Sequence, residues 1–194
     1  MGRSSLSKSV AIAPVLLVAA CASQPRDINN ICAVFDQKDG WVSSWQSAAK
    51  STERRYGIPQ ATLLATVRME SGFKGNAKPP RRKLLGFIPW KRASSAYGYS
   101  QALDGTWAQY VAETNSFTAR RNNFADALDF VGWYHSKTVS TYGVDPGDTY
   151  RLYMAYHEGW TAFGKGSAPA SVQSYAQKTD DMARTYAAQL NQCR

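Results

Sequence analysis

Ile58-Pro59-Gln60-Ala61-Thr62-Leu63-Leu64-Ala65-Thr66-Val67-Arg68-Met69-Glu70-Ser71-Gly72, residues 58–72, is the stretch on which the fold turns. Pro59 suits a first helical position, where its missing N–H has no partner to lose. Leu63, Val67 and Glu70 then fall at i, i+4 and i+7, one stripe of a helix, and an apolar stripe faces a core. Gly72, just past the last turn, suits a left-handed cap. The spacing predicts a helix over 58–70 with a carboxylic acid on its buried side, at its C-terminal end. Desolvation and the partial negative charge of a helix end both disfavour an anion there. Together they keep the proton on Glu70 toward neutral pH, which is what a general acid needs. The competing reading is an ordinary Glu reaching into water near a helix end.

Helical signals recur outward from this stretch. Trp41 to Arg55 carries apolar groups at Trp41, Trp45 and Ala48. Asp104 is the expected N-cap of a segment with Trp107, Tyr110 and Val111, and Asn122 or Asn123 opens another with Phe124, Leu128, Val131 and Tyr134 on one face. Gly143 stops that one. Asp148 caps a short helix through Leu152, Ala155 and Tyr156 that Gly159 ends, and Ser171 to Asn191 sets Val172, Tyr175, Met182, Tyr186 and Leu190 along one side. Alternating strand patterns and internal repeats are absent, so the fold class is all-α. In Lys78–Arg92, KPPRRKLLGFIPWKR, three prolines and Gly86 argue against a continuous helix.

With 194 residues the chain has one domain's worth of length. Arg3 and Lys8 precede an apolar run, Val10 to Ala20, too short to span a bilayer as a stable helix. The run ends in Leu17-Val18-Ala19-Ala20-Cys21, which resembles a bacterial lipoprotein signal. That resemblance implies cleavage before Cys21, lipidation of its sulfur and acylation of the new amino terminus, enough acyl chains for stable anchoring. Ala22 rather than Asp follows, which by the same resemblance directs the protein to the outer membrane, facing the periplasm. An ordinary signal peptide with Cys21 unmodified is the alternative. The expected organisation is residues 1–20 as signal, 21–30 as lipidated tether and 31–194 as a single domain. Cys32 and Cys193 remain as an even pair for an oxidising compartment, where they are expected to bond; two unrelated buried thiols are the alternative.

The chain carries a net charge of +9, and +7 without Arg3 and Lys8, 21 basic against 14 acidic side chains. A basic surface often signals nucleic acid. An exported lipoprotein does not meet nucleic acid as its usual partner, which leaves cell-wall carboxylates and phospholipid head groups as the anions within reach.

Three motifs now stand in order: Glu70-Ser71-Gly72-Phe73, Gly98-Tyr99-Ser100-Gln101 and Ala155-Tyr156-His157-Glu158-Gly159. Together they resemble the E-S-x-F, G-L-M-Q and A-Y-N-x-G motifs of the soluble-type bacterial lytic transglycosylases, which share a goose-type lysozyme-like fold. The resemblance covers Tyr56 to about Gly164. It implies an enzyme acting on peptidoglycan glycan strands, with Glu70 as sole acid and base and no cofactor. It further implies that Ser71 hydrogen-bonds near the reacting sugar, that Gln101 holds the acetamido group or the acid, and that Tyr156 orients the Glu70 carboxyl. Tyr99 and Ser100 replace Leu and Met, altering the subsite wall, and His157 replaces the Asn. From Glu70 to Gly98 is 28 positions, longer than the family's gap, because of the basic and aromatic insert. That insert reads either as a surface loop or as a lip, with Trp90 stacking on a sugar and Arg81, Arg82 and Lys83 meeting peptide carboxylates or lipid phosphates.

The bland readings stand beside these. Tyr156 could be plain core and Gln101 plain surface. Glu158 could be a solvated acid beside a cap. His135 and His157 do not make a metal site, since HExxH needs a histidine where Thr161 stands and no cysteine cluster compensates. Two further functions remain open: a hydrolytic muramidase pairing Glu70 with Glu158 or Asp104, and a wall-binding lipoprotein without turnover.

Overall fold

Helix α3 (Gln60–Ser71) is the centre of the domain because Ala61 through Val67 are all buried. A helix that is apolar nearly all round belongs inside. Leu63, Leu64 and Val67 are 0 % exposed, each contributing about 2 kcal/mol of burial. The polar members of this run are satisfied locally: Thr66 Oγ1 donates to the Thr62 carbonyl at 2.9 Å, and Thr62 and Thr149 share a hydroxyl pair at 2.9 Å. Pro59 is the N-cap rather than the first helical residue, and Gly72 is the left-handed C-cap.

The computed structural model describes residues 24–39, 43–84, 88–166 and 168–193. The signal over 1–20, Cys21 and Trp41 lie outside the described residues, as do the side chains of Arg82, Lys83 and Trp90 that the sequence offered as a lip.

In chain order the elements are α1 (Ile31–Phe35), β1 (Lys38–Asp39), β2 (Ser43–Ser44), α2 (Trp45–Tyr56), α3, β3 (Arg81–Leu84) and β4 (Ile88–Arg92). There follow α4 (Asp104–Thr114), α5 (Phe124–Tyr142), α6 (Thr149–Glu158), α7 (Trp160–Phe163) and α8 (Ala170–Leu190). Helix α8 lies along α3 and α6, and α2 lies along α5. Gly132 permits that second contact, because a Cβ there would fall 2.5 Å from Thr52 Cγ2. The domain is all-α with two small antiparallel pairs, β1–β2 and β3–β4, which period-2 reading did not anticipate. Segment 78–92 avoids a helix as expected, and folds back on itself with Lys83 opposite Pro89.

Cap residues set most boundaries. The Asn123 side chain accepts from Asp126 N, the Asp148 side chain accepts from Arg151 N, and Gly143 and Gly159 end α5 and α6. Asp104 departs from expectation. It is the first residue of α4, after Leu103, and its carboxylate pairs instead with Arg121 Nη2 at 2.8 Å. Tyr175, expected on the packed face of α8, is 45 % exposed; Val172, Ala176, Thr179, Ala183 and Tyr186 carry that face. Residues 24–30, expected as a tether, lie against the domain. Gln24 Nε2 donates to the Gly72 carbonyl at 2.8 Å, and the Tyr186 hydroxyl donates to the Ile28 carbonyl.

Two aromatic groups fill the interior. Trp45 stacks on Phe124 at 3.7 Å between ring centroids, with Tyr99 edge-on to both at 5.5 Å. Around α5, Tyr134 stacks on Trp160 at 4.4 Å and meets Tyr156 at 5.0 Å. Cys32 and Cys193 are bonded, their Cα atoms 5.2 Å apart across 161 positions. Closing a loop of that length contributes roughly 5 kcal/mol in the chain-entropy picture. Among the described residues no helix is long and apolar enough to cross a membrane.

Candidate active site

Glu70 occupies the last turn of α3, just before the Gly72 cap. The side chain is part-exposed as a whole, but its Oε1 is sealed from solvent and has no hydrogen-bond partner among the described residues. Burial pushes the carboxyl up from 4.5 to about 7, against the opposing pull of a Tyr153 hydrogen bond and the His157 charge. The proton therefore stays on Glu70 up to about pH 7.

Tyr153, three positions before Tyr156 on α6, is the phenol whose hydroxyl opposes that rise and favours the anion. The sequence offered Tyr156 as the residue that orients the acid. The Tyr156 hydroxyl instead donates to the Ser100 carbonyl at 2.6 Å, tying α6 to the Gly98–Gln101 loop. Tyr156 nonetheless lies near the acid: burial first, and then the Glu70 charge, push its phenol well above the usual value. Tyr153 could have been found from the sequence. It sits at i, i+3 with Tyr156 and i, i+4 with His157, the neighbours a helix brings together.

The loop is built around two strained positions. Gly98 has φ +79°, and a Cβ there would fall 2.0 Å from the Arg121 carbonyl oxygen, so only glycine fits. That same carbonyl accepts from Tyr99 N at 3.1 Å. Gln101 holds φ 52° and is anchored by its own amide, which donates to the carbonyls of Gly98 at 2.8 Å and Ala77 at 3.1 Å. Two carbonyl partners fix the amide's orientation and leave its oxygen for a ligand. Tyr99 is not in a subsite wall: at 2 % exposed it belongs to the Trp45 and Phe124 cluster.

The remaining residues divide as follows. Ser71 Oγ donates to the Val67 carbonyl at 3.2 Å and stays within its helix. Glu158 faces His157 Nδ1 at 3.2 Å. Asp104, the other acid offered for hydrolysis, is bound to Arg121. His135 is fully buried with Nε2 3.0 Å from Thr66 Oγ1, and burial holds it neutral, its pKa pushed down to about 3. Among the described residues no group of three or more His, Cys, Asp or Glu is placed to hold a metal.

A cleft of about 150 Å³ brings Gln101 of the loop together with Tyr156 and Glu158 of α6. Glu158 also lines a depression of about 440 Å³ with Tyr142, Arg151 and Phe163. A cavity of about 560 Å³ around Pro59, Asp148 and Asp180 lies at the other end of α3.

An acid stored at the end of an interior helix, facing a tyrosine helix across a glycine-pinned loop, places this all-α domain in the lysozyme-like class. The chain belongs to the Transglycosylase SLT domain family, whose sequence profile matches residues 9–193. Comparison with curated proteins returned no match.

Proposed function

We propose that the protein is a murein lytic transglycosylase that cleaves the β-1,4 bond between N-acetylmuramic acid and N-acetylglucosamine with Glu70 as its only acid and base. The observation that carries this reading is a carboxyl pushed up to about 7 whose Oε1 has no protein partner, beside the groove that Gln101, Tyr156 and Glu158 line.

Protonated Glu70 donates to the glycosidic oxygen, and the C1–O bond breaks as C1 gains oxocarbenium character. The substrate's acetamido group can shield that centre, one of the departures from two-carboxylate hydrolysis. Glu70, now ionised and bonded by Tyr153, takes the proton of the C6 hydroxyl, whose oxygen closes on C1. The product is a 1,6-anhydro sugar, no water is consumed, and Glu70 ends protonated as it began. Tyr153 stabilises the anion between the two steps, and Tyr156 holds the loop through Ser100. The Gln101 oxygen is the acceptor offered to the substrate's acetamido N–H.

Delivery to the wall follows from the same proposal. Cys21 is the lipid anchor, the protein faces the periplasm from the outer membrane, and the Cys32–Cys193 bond suits that oxidising space. The test is digestion of purified peptidoglycan followed by mass analysis of the fragments. Anhydro ends, lighter by one water than reducing ends, are the expected product. Reducing ends would replace this reading with hydrolysis, and intact wall with retained binding would replace it with tethering.

A further inference from the structure

The base of the β3–β4 hairpin holds a second concavity, about 300 Å³, separate from the groove beside Glu70. Its chemistry is uniform. Lys78, Arg92 and Arg121 supply three cations, with Tyr97, Ser94 and Ser95 between them. Lys78 Nζ lies 5.0 Å and Arg121 Cζ 5.5 Å from the centre of the Tyr97 ring, so two like charges flank one aromatic face. Asp104 is the acid bonded there, to Arg121 Nη2, which leaves an excess of positive charge. Ser95 Oγ accepts from Asp104 N at 3.1 Å and Ser94 Oγ accepts from Ala96 N at 3.4 Å, so both hydroxyl protons are directed elsewhere. Cations and hydroxyl donors around a concave, partly apolar floor are the recognition chemistry of a carboxylate.

The pocket is built onto the cleft. Arg121 Nη1 donates to the Ser95 carbonyl at 3.1 Å and to the Ala102 carbonyl at 2.9 Å, joining pocket floor to cleft rim. Tyr97 bridges to Ala102, which lines the cleft, and Ala77, beside Lys78, accepts the Gln101 amide. A glycan strand in the cleft carries its short acidic peptides outward from the muramic acid units, within reach of this pocket. We propose that the Lys78–Arg92–Arg121 pocket binds a carboxylate of the peptide stem and so selects glycan that still bears peptides. The proposal rests on the peptidoglycan reading of the cleft. A concave site tied to that cleft through Arg121 favours a substrate peptide over the flat array of phosphates at a lipid surface.

The experiment uses the whole chain and two arms. In the first, a free stem peptide with its carboxylates intact is titrated by calorimetry beside the same peptide capped as methylamides. Inorganic phosphate and vesicles containing phosphatidylglycerol serve as competitors. The intact peptide binds and the capped one does not, and Lys78→Gln with Arg92→Gln lowers that affinity about fivefold or more. In the second, capping the carboxylates of purified wall raises KM about fivefold for the parent protein, leaves kcat in place, and has no effect on the double variant. Equal binding of both peptides, an unchanged double variant, or tighter binding of vesicles than peptide overturns the proposal. Lys78→Glu, with its melting temperature as a folding control, repeats the test by charge reversal. Peptide binding without any release of wall fragments would support the pocket and sink the lytic reading, so the two fail separately.

Discussion

Glu70 and Asp129 are both met by tyrosine hydroxyls, and they are provided for in opposite ways. Asp129 on α5 accepts from Tyr110 at 2.8 Å, Tyr56 at 3.0 Å and both its oxygens take Arg55 Nη1 at 3.1 Å. A carboxylate so surrounded ties α2, α4 and α5 together. Burial first and the Asp129 charge second push both of those phenols well up. Among the described residues Glu70 has no ion pair, and its Oε1 has no hydrogen-bond partner. Carboxyl and phenol therefore make a structural clasp in one region and a proton store in the other, where burial raises the acid.

Four measurements bear on that contrast. Glu70→Gln keeps the shape and removes ionisation, and it should lower wall turnover by about a hundredfold to ten-thousandfold with the circular dichroism spectrum unchanged. Asp129→Ala should do the reverse. Leaving two phenols and a guanidinium without their acceptor costs about 3 kcal/mol in urea unfolding, while kcat per folded molecule holds. Activity loss from Asp129→Ala at full stability would erase the distinction between the two carboxyls.

The pH dependence of stability sharpens it further. The folded protein binds a proton on Glu70 more tightly than the unfolded chain does, so its contribution is full below 4.5 and is lost as pH rises to about 7. The loss is roughly 2 to 3 kcal/mol, and Glu70→Gln should remove that slope from melting curves taken between pH 4 and 8. The smallest effect is kinetic. Tyr153→Phe withdraws a bond that favours the anion, so the alkaline limb of the pH–rate profile should move up by about one pH unit. Tyr156→Phe should leave that limb in place and instead loosen the loop at Ser100, raising KM.

The sequence was most legible where structure is local. Asn123, Asp148, Gly143 and Gly159 mark helix ends because capping needs only a neighbouring N–H or a left-handed turn. Glu70 could be placed at a helix end for the same reason. What escaped is tertiary. Tyr99 reads as a motif position, yet Trp45 and Phe124 from two other helices draw it inside. Tyr175 keeps the right period and still faces solvent, because the orientation of α8 is set by α3 and α6. The Asp129 clasp joins residues 19 and 73 positions apart, and no periodicity announces it. The β3–β4 hairpin is hidden in another way, since Pro89 and a broken register remove the alternation that would reveal a strand.

The Cys32–Cys193 link has a mechanical consequence. It joins the first helix to the residues just after the last one, where Ile31 N also meets Gln189 Oε1 at 2.8 Å. Tension entering from the amino-terminal side passes through sulfur into the end of α8 and cannot peel α1 away layer by layer.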